Sequence, residues 1–294
     1  MLLLSFLGCA TRSPVTPAPA PLSTSITVTY AGPVPQEARP VIEEAANRWA
    51  TLLVTSVPIR IRVTFFEGNG PQGFARPHLV RDFEGAPFPG IDYPTALADA
   101  LVGRDLHPGV DDMNVFFKVT DEWHFTGPVP PDRPDFLTVV MHEFGHGFGF
   151  TTSAFLPWEG DPIASMGLPN EYLDFFEWSF PPSELDGTVT VFDALVRDAQ
   201  GRSIADRTVF PNPSPDLYQA LAGPLSFHGA TTVAVYGKPL PLDPRSVSHL
   251  SREAVQETSP DWQMVPDTGR GVRQPSPGPL MCAVLLDLGW TLRE

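Results

Sequence analysis

Two histidines four residues apart, His142 and His146, flank Glu143 in the stretch Asp135-Phe-Leu-Thr-Val-Val-Met-His-Glu-Phe-Gly-His-Gly-Phe-Gly-Phe150. On a helix, positions i and i+4 lie on one face, so both imidazoles can reach a single metal ion. Glu143 projects beside that face, where a carboxylate can take a proton from a water made acidic by a metal. Phe136, Leu137, Val139, Val140, Met141, Phe144 and Phe148 surround the three polar groups, so the helix is apolar on nearly every side and is expected to be buried. Buried polar groups are costly without partners, and a metal ion is the simplest partner for this set. The spacing therefore points to zinc hydrolysis.

A site of this kind needs a third protein ligand and keeps a fourth position for water. Gly147 and Gly149 follow directly, and glycine ends helices and permits a left-handed turn, so the chain should leave the helix near Gly149. The short-range pattern His-Glu-x-x-His-x-x-Gly-x-x-His would put a third histidine at the position held by Thr152, a poor ligand. Only His228 and His249 lie further along the chain. His228 sits in a short extended segment, Leu225-Ser-Phe-His-Gly229, with nothing else to suggest a site. Glu171, in Asn170-Glu-Tyr-Leu-Asp174, resembles the glutamate ligand of thermolysin-like enzymes. Those enzymes run their first helix past the second histidine, whereas Gly147 and Gly149 stop it here, so Glu171 ranks below His249.

His249 lies in Arg245-Ser-Val-Ser-His-Leu-Ser251, 103 positions beyond His146, and Met264 follows in Trp262-Gln-Met-Val-Pro266. With the helix motif, these segments resemble the leishmanolysin-like branch of the metzincins. In that family a third histidine lies far downstream, after a large insertion, and a methionine turn follows beneath the metal. Gly278-Pro-Leu-Met-Cys-Ala-Val-Leu-Leu-Asp-Leu-Gly-Trp290 resembles the closing helix of bacterial proteins of this kind. The resemblance implies Zn²⁺ held by His142, His146 and His249, Glu143 as catalytic base, and Met264 as the floor under the metal. It also implies a protein or peptide substrate, and a strand just before the metal helix, Met113–Val119, at the sheet edge where substrate pairs, with Trp123 and Phe125 near the cleft mouth. Those two aromatics suit the core equally well.

Proline is the compositional outlier, 35 of 294 residues against a usual share of about 5%, and implies short elements with extensive loops. A net charge of −15 argues against nucleic acid or an anionic membrane surface as the partner. The start, Met1-Leu-Leu-Leu-Ser-Phe-Leu-Gly-Cys9-Ala10, is apolar but too short to span a bilayer. It resembles the signal and lipobox of bacterial lipoproteins, with Cys9 as the lipidated residue. Phe6 stands where leucine is usual, and no basic residue precedes the run. The proline-rich tether up to Ser25 suits an exported protein, either an outer-membrane lipoprotein or a secreted one. Any membrane contact would be through that anchor alone. The only other cysteine, Cys282, reads as a small buried hydrophobe.

The elements around the motif divide the chain into 1–25, 26–152 and 153–294. Alternation predicts strands at Ile26–Tyr30, Pro58–Phe66 and Met113–Val119, and three-to-four spacing predicts helices within Pro35–Leu53 and Tyr93–Leu101. Later come strands at Thr188–Phe192 and Thr231–Tyr236 and helices at Asp216–Ala222 and Leu280–Leu288. The expected fold is α+β and metzincin-like: a mixed sheet with an active-site helix, then an irregular proline-rich C-terminal subdomain in which 153–246 is an insertion. The expected activity is that of a zinc metalloendopeptidase. Two other classes fit the same motif: a non-proteolytic zinc hydrolase or amidase, and a surface lipoprotein that binds through a structural zinc. A structural site would normally carry a fourth Cys or His and would not need Glu143.

Overall fold

Strand β1 (Ile26–Ala31), helix α1 (Ala38–Leu52) and strand β2 (Ile59–Phe66) open the chain, close to where alternation and helical spacing put them. Strands β3 (Gly73–Pro77), β4 (Leu79–Arg81) and β5 (Asp92–Pro94) follow, then helix α2 (Thr95–Val102), strand β6 (Met113–Lys118) and helix α3 (Phe136–Gly147). This computed structural model describes residues 24–120, 122–157, 162–167, 187–244 and 246–293. Cys9, most of the N-terminal tether and the Asn170–Asp174 segment with Glu171 lie outside the described residues.

The first sheet has the order β1-β2-β6-β3, with β1, β2 and β6 parallel and β3 antiparallel to β6. Period-two alternation divides its faces. Ile59, Ile61 and Val63 point to the core beneath α1 and α3, while Arg60 and Arg62 on the other face pair with Asp105 and Asp111 at 2.6 and 2.7 Å. Met113–Lys118 is therefore an internal strand and not the expected edge. The edge on the side of α3 is β3, a segment whose glycine and proline hide its strand character. Trp123 and Phe125 are not at a cleft mouth: both pack on Phe136, with ring centroids 5.0 and 5.2 Å away, at the start of α3.

Beyond α3 come the short pair β7 (Ala154–Phe155) and β8 (Ser165–Met166), then an antiparallel sheet of order β12-β11-β10-β9. Its strands are β9 (Val196–Asp198), β10 (Leu225–Phe227), β11 (Leu240–Asp243) and β12 (Ser246–Leu250), with helices α4 (Pro215–Ala222) and α5 (Ala230–Tyr236) between them. A 3₁₀ turn, Pro260–Met264, and helix α6 (Pro279–Leu288) complete the chain. The architecture is α+β.

Two expected strands are absent. Thr188–Phe192 forms only an isolated bridge, Thr190 to Asp92, because Thr190 and its neighbours are held by the Asp193 carboxylate instead. Thr231–Tyr236 lies within helix α5 despite its β-branched residues. The Asp287 carboxylate of α6 accepts from Thr231 N–H, Thr232 N–H and Thr232 Oγ1 at 2.7–2.8 Å, satisfying the helix start that the local sequence leaves open. Cys282, expected to be buried, is only partly so. Among the described residues no helix is long and apolar enough to cross a membrane.

Asp135 positions the metal helix. Its carboxylate caps α3 through Thr138 N–H (3.1 Å) and Thr138 Oγ1 (2.8 Å), and it pairs with Arg273 at 2.6 Å while fully buried. Replacing it by alanine removes the cap and leaves Arg273 without its carboxylate. Asp135→Ala should therefore lower stability by about 2–4 kcal/mol in urea denaturation, and Asp135→Asn, which keeps a capping oxygen, by less. Equal, small losses for both would remove Asp135 from this role.

Candidate functional site

All twelve residues of α3 are buried. The helix lies between β3 and β6 on one side and α1 with the Pro260–Met264 turn on the other. Its glycines make this fit possible. A Cβ on Gly147 would lie 2.2 Å from Met113 Sδ, and one on Gly145 would lie 2.9 Å from Met281 Cε and 3.2 Å from Met264 Sδ. The helix ends at Gly147, and Gly149, at φ +123°, turns the chain away.

Three imidazole nitrogens converge where this buried helix borders a cleft. His142 Nε2 and His146 Nε2 are 3.0 Å apart, and His249 Nε2, carried by edge strand β12 of the second sheet, is 3.2 Å from each. A tetrahedral ion with metal–nitrogen bonds of about 2.0–2.1 Å spaces its ligand nitrogens by about 3.3 Å, close to what is found. The three residues are thus near enough to hold one metal ion.

The far side of each ring fixes which nitrogen faces the centre. His142 Nδ1 hydrogen-bonds the Gln263 carbonyl, His146 Nδ1 donates to the Phe150 carbonyl at 2.7 Å, and His249 Nδ1 lies 2.7 Å from Ser246 Oγ. With the protons on Nδ1, all three Nε2 atoms present lone pairs to one another. Three acceptors at this distance repel unless a cation sits between them.

Burial agrees with that state. It pulls His142 down to about 4, partly opposed by the Gln263 carbonyl, and His146 down to about 3 with help from His142. His249 is held well below the usual histidine range, by burial first and then by His146 and His142. All three rings are neutral at pH 7, as metal ligation requires. Burial pushes Glu143 the other way, up to about 8. A divalent cation beside it would draw it back towards the ionised form.

Glu143 faces the edge strand. A Cβ on Gly73 of β3 would lie 2.9 Å from Glu143 Oε1, so only glycine leaves that carboxylate its space. A cleft of about 1080 Å³ opens over the three histidines and Glu143, with Gly73–Ala75 of β3 on one wall and Pro266–Arg270 on the other. Met264 is fully buried beneath Gly145, one residue after the carbonyl that holds His142.

Of the remaining candidates, His228 is outside the cluster and lies 3.0 Å from Ser226 Oγ. Thr152 is no ligand. Its hydroxyl donates to Asp193, which also accepts from Ser153 N–H and Oγ and Thr190 N–H and Oγ1, and so anchors the chain leaving the metal helix. The sequence reading missed Gly73, Ser246 and the Gln263 carbonyl. Ser246, three residues before His249, is visible in the sequence only once His249 is accepted as a ligand; the other two depend on long-range packing. Comparison with protein-family models, with curated proteins and with solved structures finds no match to this chain.

Two outcomes follow from this geometry. The chain should bind one divalent metal ion, with affinity reduced by roughly 10–100-fold in Ser246→Ala and by more in His249→Ala, measured by competition with a chromogenic chelator. The metal-free protein should lose stability as pH falls from about 6.5 to 4.5. There the unfolded chain protonates three histidines that the folded chain keeps neutral, while Glu143, raised in the folded state, stays protonated where the unfolded chain ionises it and so acts oppositely. The net slope is on the order of 2 kcal/mol per pH unit, and a flat profile would contradict buried neutral rings.

Proposed function

We propose that this protein is a zinc-dependent endopeptidase of the leishmanolysin-like metzincin kind. The observation that carries the reading is the meeting of Glu143, three inward-facing Nε2 atoms and the edge strand β3 in one cleft. Zinc suits three neutral imidazoles in this geometry, and when bound it supplies Lewis acidity, which makes a water acidic near neutrality and polarises a carbonyl.

The chain's own groups supply the rest. Glu143 accepts the proton of the attacking water and returns it to the departing amine, the role of a general acid–base. Strand β3 supplies the means of holding an extended peptide. Lys118 N–H donates to the Gln72 carbonyl and His78 N–H to the Asp112 carbonyl, so the even-numbered residues pair with β6. Gly73, Ala75 and Pro77 then turn their backbone groups to the free edge, where a substrate strand can add. Ser246 and the Gln263 and Phe150 carbonyls hold the imidazoles in the tautomer that leaves Nε2 available. Met264 fills the space under α3 as an apolar floor. The apolar start ending at Cys9 supports an exported protein, lipid-anchored or secreted.

Glu143→Gln should retain metal and lose peptide cleavage by roughly 10²–10⁴-fold. Gly73→Ala, whose new methyl would press on Glu143 Oε1, should lower turnover while leaving metal content unchanged. A fluorogenic peptide library and metal analysis on the same preparations read both. Full cleavage by Glu143→Gln, or no cleavage of any peptide by the zinc-loaded protein, would overturn the endopeptidase reading.

A further inference from the structure

We propose that the side chain of Gln263 is a positioning residue of the metal centre, tying the wall of the cleft to the carbonyl that takes the His142 proton. The proposal rests on the zinc reading of the site and deepens it. It concerns the amide of Gln263, whereas the contact to His142 is made by its backbone.

Gln263 is fully buried in the 3₁₀ turn Pro260–Met264. Its Nε2 donates to the Gln274 carbonyl at 3.0 Å. Among the described residues its Oε1 has no partner. An unpartnered amide oxygen is costly in the interior, and a methionine of the same length would fill the space without that cost. The bond to Gln274 is therefore what the amide adds.

That bond closes a loop in two senses. Along the chain, it joins the ends of the segment 263–274, in which Pro266–Arg270 form one wall of the cleft. In space, it returns to the metal helix. Gln274 N–H donates to Thr138 Oγ1 at 2.8 Å, and Thr138 Oγ1 donates to Asp135 at 2.8 Å. Arg273, one residue earlier, pairs with the same Asp135. Thr138 stands about one helical turn before His142, on the same face of α3. Gln263 is thus attached to α3 at two levels: by its carbonyl to His142, and by its amide, through Gln274, to Thr138.

Two attachments fix what one leaves free. With the carbonyl bond alone, the turn can pivot about that contact and carry the acceptor away from His142 Nδ1. A ring without its Nδ1 acceptor gains access to the tautomer protonated on Nε2, which takes one lone pair from the metal centre. The turn's other anchor, Asp261, accepts from Leu280 N–H and Met281 N–H of α6. The amide of Gln263 is therefore the hydrogen-bonded link that refers the turn to α3.

The test uses the full chain and the variants Gln263→Met, Gln263→Asn and Thr138→Val. The first removes the amide at constant length, the second keeps an amide too short to reach Gln274, and the third cuts the next link. Zinc affinity is read by competition with a chromogenic chelator, and histidine tautomers of the metal-free chain by long-range ¹H–¹⁵N NMR at neutral pH. Zinc affinity should fall roughly 10–100-fold in both Gln263 variants, and in the same direction in Thr138→Val. The His142 ring should shift towards its Nε2–H form while His146 and His249 keep the proton on Nδ1. The double variant Gln263→Met with Thr138→Val should bind zinc little worse than Gln263→Met alone, because the two bonds act in series. Thr232→Val, which loses a hydrogen bond to Asp287 outside the cleft lining, is the stability control and should keep both readouts. Thermal melts establish folding; should Gln263→Met not fold, Gln263→Asn and Thr138→Val decide. Zinc affinity within about twofold of the parent in the folded Gln263 variants overturns the proposal. So does a loss of affinity with the His142 tautomer unchanged, or an equal loss in Thr232→Val. A parent chain that binds no zinc strikes the metal reading, and the tautomer shift alone then decides the role of Gln263.

Discussion

Three unprotonated nitrogens pointed at one another inside an apolar surround form the constraint on which this structure depends. Each neutral ring must give its Nδ1 proton to something fixed, or the arrangement dissolves into alternative tautomers. The acceptors come from three distant places: the chain just past the metal helix, the turn before Met264, and the start of the strand that carries His249. The second sheet, the 3₁₀ turn and the exit from α3 are therefore tied to the same point. A ligand delivered from 103 residues away can be held to a few tenths of an ångström only if its own strand is rigid. The antiparallel pairing of β11 with β12 supplies that rigidity.

A chain so rich in proline builds short helices, and short helices have a large share of unsatisfied backbone ends. Buried aspartates resolve this problem at several points. Asp135 caps the metal helix, Asp287 accepts from the first turn of α5, and Asp261 accepts from Leu280 N–H and Met281 N–H at the start of α6. Asp193 does the same for a loop, collecting five donors from Thr152, Ser153 and Thr190. Close approach is needed at two of these places: a Cβ on Gly229 or Gly278 would lie 2.1 or 2.2 Å from the Asp287 or Asp261 carboxylate. Part of the acidic excess is thus structural and faces inward.

The parts of the site that read from sequence are those with local causes. His142, Glu143 and His146 share one helix face, and Gly149 must turn. Strands β1, β2 and β6 show alternation or an apolar run, α1 shows helical spacing, and α6 reads from an apolar run and a resemblance. His249 was reached through resemblance, and the structure brings its ring to the other two. What did not read has non-local causes. Met113–Lys118 is more apolar than an edge strand should be, because both neighbours in its sheet cover it. Gly73–Pro77 carries too few β-formers to announce a strand, yet it bounds the cleft. Thr231–Tyr236 carries strand-forming residues and becomes a helix because Asp287, 55 positions from Thr232, satisfies its first turn.

The two residues between Glu143 and His146 show how packing writes itself into the spacing of a candidate metal site. Phe144 is fully buried in the core, where its ring centroid lies 6.5 Å from that of Phe148. Gly145 faces Met264 and Met281, and its missing side chain lets both sulfur-containing chains approach. Gly147 does the same for Met113 on the opposite side. Neither glycine has a positive φ, so each is required by proximity and not by backbone conformation. Thioethers are flexible enough to fill irregular gaps around a helix that cannot move without displacing its ligands. The metal helix is therefore located by what its glycines admit. The same logic at Gly73 sets how near the edge strand comes to Glu143, and so the width of the cleft at that carboxylate.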